Sequence, residues 1–364
     1  MDLLKPPIIH IGGRCYRRNP TAPPPGWKHG AEEQGYQEDE EILTSVDNEA
    51  LECSLDFQET SKGFSLSIDV PSTFFGVIIG KGGEKKRRIE QETQCQIEIP
   101  RQRDRSDMIV IRGTQKSKLI SAKTRIDVLV DSARQRQRFT HFLSFPLNAP
   151  KLKGSFKDFK EDVLRQCDGA PGVDENVFQN PDKLHLTIAT LVLLTKTEKM
   201  KAQELLEKCK VEVIEPLLQG EPCKVDVKGL EYMNDDPSRV RVLYAKVEPQ
   251  DNSNKLQVIA DTLMERFQSS GLGKVEYDQV KLHATLMNCI YRRGTGDGVT
   301  SHDDGTTPQA NEDFFDAQPI LQKFGDFRFG SHTIDTVHIS QRGSYDPSGF
   351  YLSAGQIQFP DGRS

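Results

Sequence analysis

The sequence carries one hexapeptide pattern twice. Lys183-Leu184-His185-Leu186-Thr187-Ile188 returns 98 residues later as Lys281-Leu282-His283-Ala284-Thr285-Leu286. Each copy offers a general acid or base, a hydroxyl and a cation. On an extended strand successive side chains point to opposite faces. Lys183, His185 and Thr187 then share one face, as do Lys281, His283 and Thr285. The alternate residues are apolar in both copies and suit a core face. Opening a phosphodiester needs one proton taken from a water or a ribose hydroxyl and one given to the leaving oxygen. Histidine does either near neutral pH. His185, Thr187, His283 and Thr285 are therefore the candidate catalytic set, the threonines hydrogen-bonding non-bridging oxygens. Lys183 and Lys281 are candidate phosphate contacts where negative charge grows. The pattern does not say which histidine is the acid.

A second stretch suits phosphate of another kind. Ile79-Gly80-Lys81-Gly82-Gly83 is followed at once by Lys85, Lys86, Arg87 and Arg88. Glycines let the backbone turn tightly and approach a phosphate closely, and a helix start with positive charge favours an anion. Gly80, Lys81, Gly82, Gly83, Lys85, Lys86 and Arg87 are the candidate nucleic-acid contacts.

The elements that must position these residues follow from periodicity and breakers. Strands are expected at 64–70, 96–100 and 108–111, helices at 73–79, 84–92 and 115–138. This β-α-α-β-β-α order with its glycine loop resembles a type I KH domain. That resemblance implies binding of a single strand, RNA in preference to DNA, with Val77, Ile78, Ile97 and Ile99 lining a groove for its bases. Lys86 departs from the family pattern, which has an apolar residue there. Beyond 138 come a strand at 139–146, a helix at 156–167, the first motif strand running through Leu194, and a helix at 197–210. Strands at 224–230 and 240–247, a helix at 256–268, the second motif strand, a polar loop at 292–318 and short C-terminal strands complete the chain. Two His-x-Thr strands at half-domain spacing resemble the 2H phosphoesterase superfamily (LigT-like). The resemblance implies a bilobal domain with two internal-repeat sheets, a central cleft, and histidines acting as acid and base without a metal or cofactor. A cleft of this kind either turns over a phosphodiester or only recognises nucleic acid.

The fold class expected is therefore α+β, in three parts. Residues 1–60 form a Pro-rich and acidic region, mostly disordered, with a possible docking segment at 8–18. Residues 61–138 form the KH domain and 139–360 the 2H-like domain. Between Ala31 and Thr60 stand eleven acidic residues and no Lys or Arg, whereas Gly76 to Arg138 holds sixteen basic against eight acidic residues. The net charge of −6 thus conceals a basic segment suited to nucleic acid. Seven scattered cysteines without a Cys-x-x-Cys pair suggest reduced thiols rather than a zinc site or disulfide frame. No apolar run is long enough to cross a bilayer, and the N-terminus lacks the core of a signal peptide, so no membrane partner is expected. His141 and His338, between apolar neighbours, are expected in the core or a cleft wall. His302 with Asp303 and Asp304 lies in the polar loop, and Cys289 has no adjacent base in sequence. The order of the parts, with segments such as Lys123 to Leu129, Glu231 to Pro237 and His338 to Arg342, resembles a family of nuclear complex subunits. That likeness implies a helicase and other subunits as partners, in transcription coactivation and repair of alkylated DNA.

Overall fold

The computed structural model describes residues 8–11, 14–17, 55–101, 104, 106–293 and 314–359. The acidic stretch up to residue 54 and residues 294–313, part of the expected polar loop with His302, lie outside the described residues. Of the expected docking segment, the backbone of a two-stranded antiparallel hairpin is described, β1 (Ile8–Ile11) with β2 (Arg14–Arg17). The other described residues form two compact units that divide between Gln137 and Arg138.

The first unit is built on a four-stranded antiparallel sheet. Its strands are β3 (Phe57–Thr60), β4 (Gly63–Asp69), β5 (Gln96–Glu98) and β6 (Met108–Gly113), in the order β3-β4-β6-β5. Against it lie α1 (Phe75–Ile79), α2 (Glu84–Thr93) and α3 (Lys116–Arg136). Alternation in β4 and β6 sends Leu66, Ile68, Ile109 and Ile111 inward, and the helices cover them with Phe74, Ile78, Ile89, Leu119 and Ile126. Strand β3 starts before the boundary expected at residue 60. It pairs with β4 from Phe57 opposite Leu66 to Thr60 opposite Gly63. Gln58, Glu59 and Thr60 are exposed, so no apolar alternation marks it; backbone pairing holds it. Lys86, the departure from the KH pattern, is half-buried and paired to Glu90 at 3.1 Å. Glu90 also accepts a hydrogen bond from the Ile97 amide at 2.8 Å. An ion pair anchored to β5 thus stands where an apolar contact is usual.

The second unit has a single eight-stranded antiparallel sheet. Its strands are β7 (His141–Pro146), β8 (His185–Leu191), β9 (Cys223–Tyr232), β10 (Val242–Pro249), β11 (His283–Asn288), β12 (Arg328–Ile334), β13 (Thr336–Tyr345) and β14 (Tyr351–Gln358). The spatial order is β12-β9-β10-β11-β8-β7-β13-β14. The expected pair of repeat sheets therefore appears as two four-stranded halves of one sheet, joined where the motif strands β11 and β8 meet. One register pair joins them, Ala284 opposite Leu186. On either side the strands part: Phe178 bridges Met287, and the Lys274 amide bonds the Thr190 carbonyl. Helix α4 (Pro150–Gln166) packs on β12, α5 (Lys196–Cys209) lies along β14, and α6 (Glu215–Leu218), α7 (Lys255–Ser269) and α8 (Gln318–Phe324) complete the unit. A continuous core of Phe145, Phe156, Phe159, Phe267 and Phe315, all fully buried, holds both halves. Each such ring contributes about 2–3 kcal/mol by leaving water. No helix among the described residues is long and apolar enough to cross a membrane.

Candidate functional site

Antiparallel pairing at the seam fixes the site. Because Ala284 stands opposite Leu186, the next residues out are Thr285 opposite His185 and His283 opposite Thr187. They point to the face away from Ala284 and Leu186, which are buried. The neighbouring strands extend this into two rows. Lys246 pairs with His283 and Ser144 with Thr187; Tyr244 pairs with Thr285 and Pro146 with His185. The row beneath, Ala245, Ala284, Leu186 and Phe145, is sealed in the core. Each histidine thus faces the other strand's threonine, and the two histidines stand on a cross-strand diagonal, about 7–8 Å apart. The two histidines and the two threonines thus share one face of the sheet at the seam.

Both rings are oriented by the same local device. His185 Nδ1 lies 2.7 Å from the Lys183 carbonyl oxygen, and His283 Nδ1 lies 2.6 Å from that of Lys281. A carbonyl only accepts, so Nδ1 carries the proton and Nε2 is the nitrogen that exchanges one in the neutral ring. Both rings are half-buried. Burial lowers the pKa of His283 below the usual 6.5 against the opposing effect of its carbonyl bond, and the Lys281 charge lowers it further. His283 is accordingly neutral at neutral pH.

A cavity of about 260 Å³ opens on this face. His185, Thr187, Thr285, Thr190 and Asn288 give it polar walls, while Phe139, Phe142, Tyr351, Ile290 and Tyr291 give it apolar ones, with Arg342 among them. His283 is not one of its wall residues. His185 rests against the rings of Phe142 at 5.0 Å and Tyr351 at 5.4 Å, and Arg342 stacks over Phe139 at 4.4 Å. The two lysines do not line this cavity. Lys183 Nζ sits 3.6 Å from the Tyr345 ring centre and 5.9 Å from that of Tyr351; Lys281 Nζ sits 4.7 Å from that of Tyr244. Lys281 also lines a separate cavity with Gln257 and Gln279. The sequence reading missed this aromatic surround, because its members come from β7, β10, β13 and β14 and no local pattern links them to the histidines.

Other sequence candidates have structural roles. Cys289 is buried, its Sγ 3.7 Å from the Val240 carbonyl oxygen. His141 is buried, while His338 is only partly exposed. One ring nitrogen of each, Nε2 of His141 and Nδ1 of His338, is buried without a protein hydrogen-bond partner. His141 is thus a core group, and both rings are incompletely satisfied within the protein. Among the described residues no group of three His, Cys, Asp or Glu is placed to hold a metal ion.

In the first unit the glycine loop between α1 and α2 places Gly80, Gly82 and Gly83 at φ of 71°, 59° and 79°. L side chains rarely adopt such angles. A Cβ on Gly80 would meet the Lys85 side chain at 2.8 Å, whereas Gly82 faces open space. Lys81, Gly82 and Lys85 are exposed. Arg87 turns back to donate to the Gly82 carbonyl at 2.6 Å and the Gly83 carbonyl at 3.3 Å, and Lys86 is held by Glu90. Arg87 therefore braces the loop, and Lys81 and Lys85 present charge to solvent. The groove beside the loop, about 580 Å³, is lined by Phe75, Gly76, Ile79, Ile99, Pro100 and Arg101, with Ser72 and Ser106. Of the four wall residues expected from sequence only Ile99 lines it. Ile78 and Ile97 are core residues, 0% and 1% exposed, because the helix turns Phe75 and Ile79, four apart, to the groove instead.

This fold and this site define a class: a KH domain followed by a 2H phosphoesterase-like domain. Comparison with known proteins agrees. The KH domain family matches residues 65–127, and the family described as AKAP7 2'5' RNA ligase-like domain matches residues 139–359. The mouse (Mus musculus) protein named activating signal cointegrator 1 complex subunit 1 is 43% identical over 368 residues, 99% of this chain and all of the relative. The chain belongs to that family. Human (Homo sapiens) vigilin is 38% identical over 74 residues, 20% of this chain and 6% of vigilin. Among solved structures, E. coli LigT complexed with NADP+ is 14% identical, covering 61% of this chain and 98% of LigT, with a TM-score of 0.35.

Proposed function

We propose that the chain is a nucleic-acid-binding subunit whose second unit opens phosphodiesters, of RNA or of nucleotides, without a metal. The observation that carries this reading is the cross-strand frame at β8 and β11, with two histidines on one diagonal and a threonine opposite each. His283, held neutral by burial, takes the proton from water or from a ribose 2′-hydroxyl; His185 gives one to the leaving oxygen. Thr187 and Thr285 hydrogen-bond the non-bridging oxygens as the phosphorus becomes five-coordinate. The glycine loop with Lys81 and Lys85 grips the backbone of a single strand, RNA in preference to DNA, and the groove of Ile79 and Ile99 takes its bases. The relative's name supports a place in an activating signal cointegrator complex. We extend this to a nuclear location, a helicase and other subunits as partners, and work in transcription coactivation and repair of alkylated DNA.

A second reading, a binding and assembly subunit that only recognises nucleic acid, has one observation on its side: His283 is not a wall of the cavity that His185 lines. Incubation with RNA oligomers ending in a cyclic phosphate or a free 3′-hydroxyl, in the presence of EDTA, decides between them. Cleavage or ring opening supports the enzyme; tight binding without product on every oligomer supports the second reading.

A further inference from the structure

The two motif histidines share a surround that the hexapeptide does not encode. Each has a tyrosine ring set steeply against it: Tyr351 beside His185 at 5.4 Å and 84°, Tyr244 beside His283 at 5.1 Å and 68°. In each case the lysine whose carbonyl holds Nδ1 also lays its ammonium over that tyrosine. Duplication of the motif strand does not account for the match. Tyr244 is on β10, directly beside β11, whereas Tyr351 is on β14, three strands from β8. Two unrelated positions in the sheet have supplied the same contact.

The second of these surrounds is tethered. Tyr244 is 2% exposed, and its hydroxyl donates to Glu231 Oε2 at 2.7 Å. Glu231 is the cross-strand partner of Tyr244 on β9. Its other oxygen lies 3.9 Å from Lys246 Nζ, and Lys246 is the strand partner of His283. Gly229, at φ +71°, makes room for this lysine: a Cβ there would meet Lys246 Cε at 2.8 Å. A closed circuit therefore runs from His283 through Tyr244, Glu231 and Lys246 back to the strand position beside His283.

We propose that Tyr244, anchored by Glu231, is a positioning residue for His283, and that Lys281 belongs to this clamp rather than to the phosphate. The Nδ1 bond alone leaves the imidazole free to swing about it. A buried ring whose hydroxyl end is pinned by a carboxylate cannot swing aside; it closes off that motion of the imidazole and keeps Nε2 on the site face. The kinetic arm of this inference rests on the phosphodiesterase reading; the orientation arm does not.

The test uses the full chain with labelled histidine nitrogens, the His283 signals being assigned by their loss in His283→Gln. Long-range proton–nitrogen spectra report which ring nitrogen carries the proton. Wild type is expected wholly in the Nδ1–H form. Tyr244→Leu is expected to drift toward the Nε2–H form that an unconstrained imidazole favours, and to lose about tenfold or more in kcat with KM little changed. Tyr244→Phe keeps the ring and loses the tether, for a loss of about threefold. Retention of the Nδ1–H form in Tyr244→Leu, or turnover within about twofold of wild type, overturns the proposal. Should Tyr244→Leu fail to fold, Glu231→Ala, at a side chain on the surface, decides by the same two readouts: a partial shift and a drop near that of Tyr244→Phe support the clamp, and wild-type behaviour refutes it. If wild type turns over no substrate, the phosphodiesterase reading fails, and the protonation pattern alone still upholds or overturns the positioning role.

Discussion

Lowering the pH from about 7 to about 4.5 should weaken the second unit through its buried histidines, His141 on β7 above all. That ring is 3% exposed. Its Nδ1 lies 2.8 Å from Thr140 Oγ1, which itself donates to the Leu193 carbonyl and accepts from the Leu193 amide. The imidazole is thus the donor, and its buried Nε2 has no protein partner to share a proton with. Burial, with a smaller contribution from the Lys199 charge, lowers its pKa from 6.5 to about 4. The unfolded chain takes up this proton near the ordinary value and the folded chain only near 4, so between the two the unfolded state binds more protons and stability falls as pH falls. A full shift of that size corresponds to about 3 kcal/mol, and partial hydration of the charged ring trims it to about 2 kcal/mol. The assay is urea denaturation followed by far-ultraviolet circular dichroism, comparing wild type with His141→Leu across this range. Differencing removes the contributions of His332 and His338, whose pKa values burial also lowers. The stability of His141→Leu relative to wild type should rise by about 2 kcal/mol toward the acid end, in steps of about 1.4 kcal/mol per pH unit at most. Curves that stay parallel over the range would refute the reasoning.

Three further outcomes follow from the same geometry. The acid limb of kcat/KM should have its midpoint below pH 6.5, because His283 must be unprotonated to act as base and burial lowers its pKa; a midpoint at or above 7 would contradict its assignment. Lys81→Asp combined with Gly82→Asp should weaken binding of a single-stranded RNA oligomer by about tenfold or more at fixed salt, measured by fluorescence anisotropy with the circular dichroism spectrum unchanged. Gly82 faces open space and aspartate tolerates its left-handed backbone better than most residues, so an unchanged Kd would show that the loop does not meet phosphate. Phe159→Ala should destabilise the second unit by about 3–5 kcal/mol, since Phe159 is fully buried and its ring packs on those of Phe324, Phe327 and Phe329 at 5.3–5.8 Å; a urea midpoint close to wild type would show a core that repacks.

The motif strands were legible because alternation alone sorts His185, Thr187, His283 and Thr285 from their apolar neighbours. What alternation leaves open is which strands become neighbours. The seam between β8 and β11, and with it the pairing of each histidine with the opposite threonine, depends on one register pair between residues 98 apart. Tyr244, Glu231, Phe142 and Tyr351 reach the site by strand order, which no local signal carries. The same limit explains the groove of the KH domain. Val77, Ile78, Ile97 and Ile99 are all apolar, and only the helix phase, visible in Phe75 and Ile79, separates wall from core. Strand β3 was missed because Gln58, Glu59 and Thr60 face solvent and give no periodic signal. Helix α8, from Gln318 to Phe324, starts where the expected polar loop ends, just after the buried Phe315 and Ala317, and the polar composition ahead of them hid its start. Lys86 shows the converse: a residue that breaks a family pattern is accommodated by Glu90, four positions on, at 3.1 Å.

The most direct test of the two-histidine frame is single-turnover cleavage of one RNA phosphodiester by EDTA-treated wild type, His185→Ala and His283→Ala, at matched and saturating protein. Wild type should turn over without added metal, and each variant should lose about a hundredfold or more in rate while still binding the oligomer. Wild-type rates in either variant, on a substrate the wild type cleaves, would contradict the assignment of acid and base to this pair.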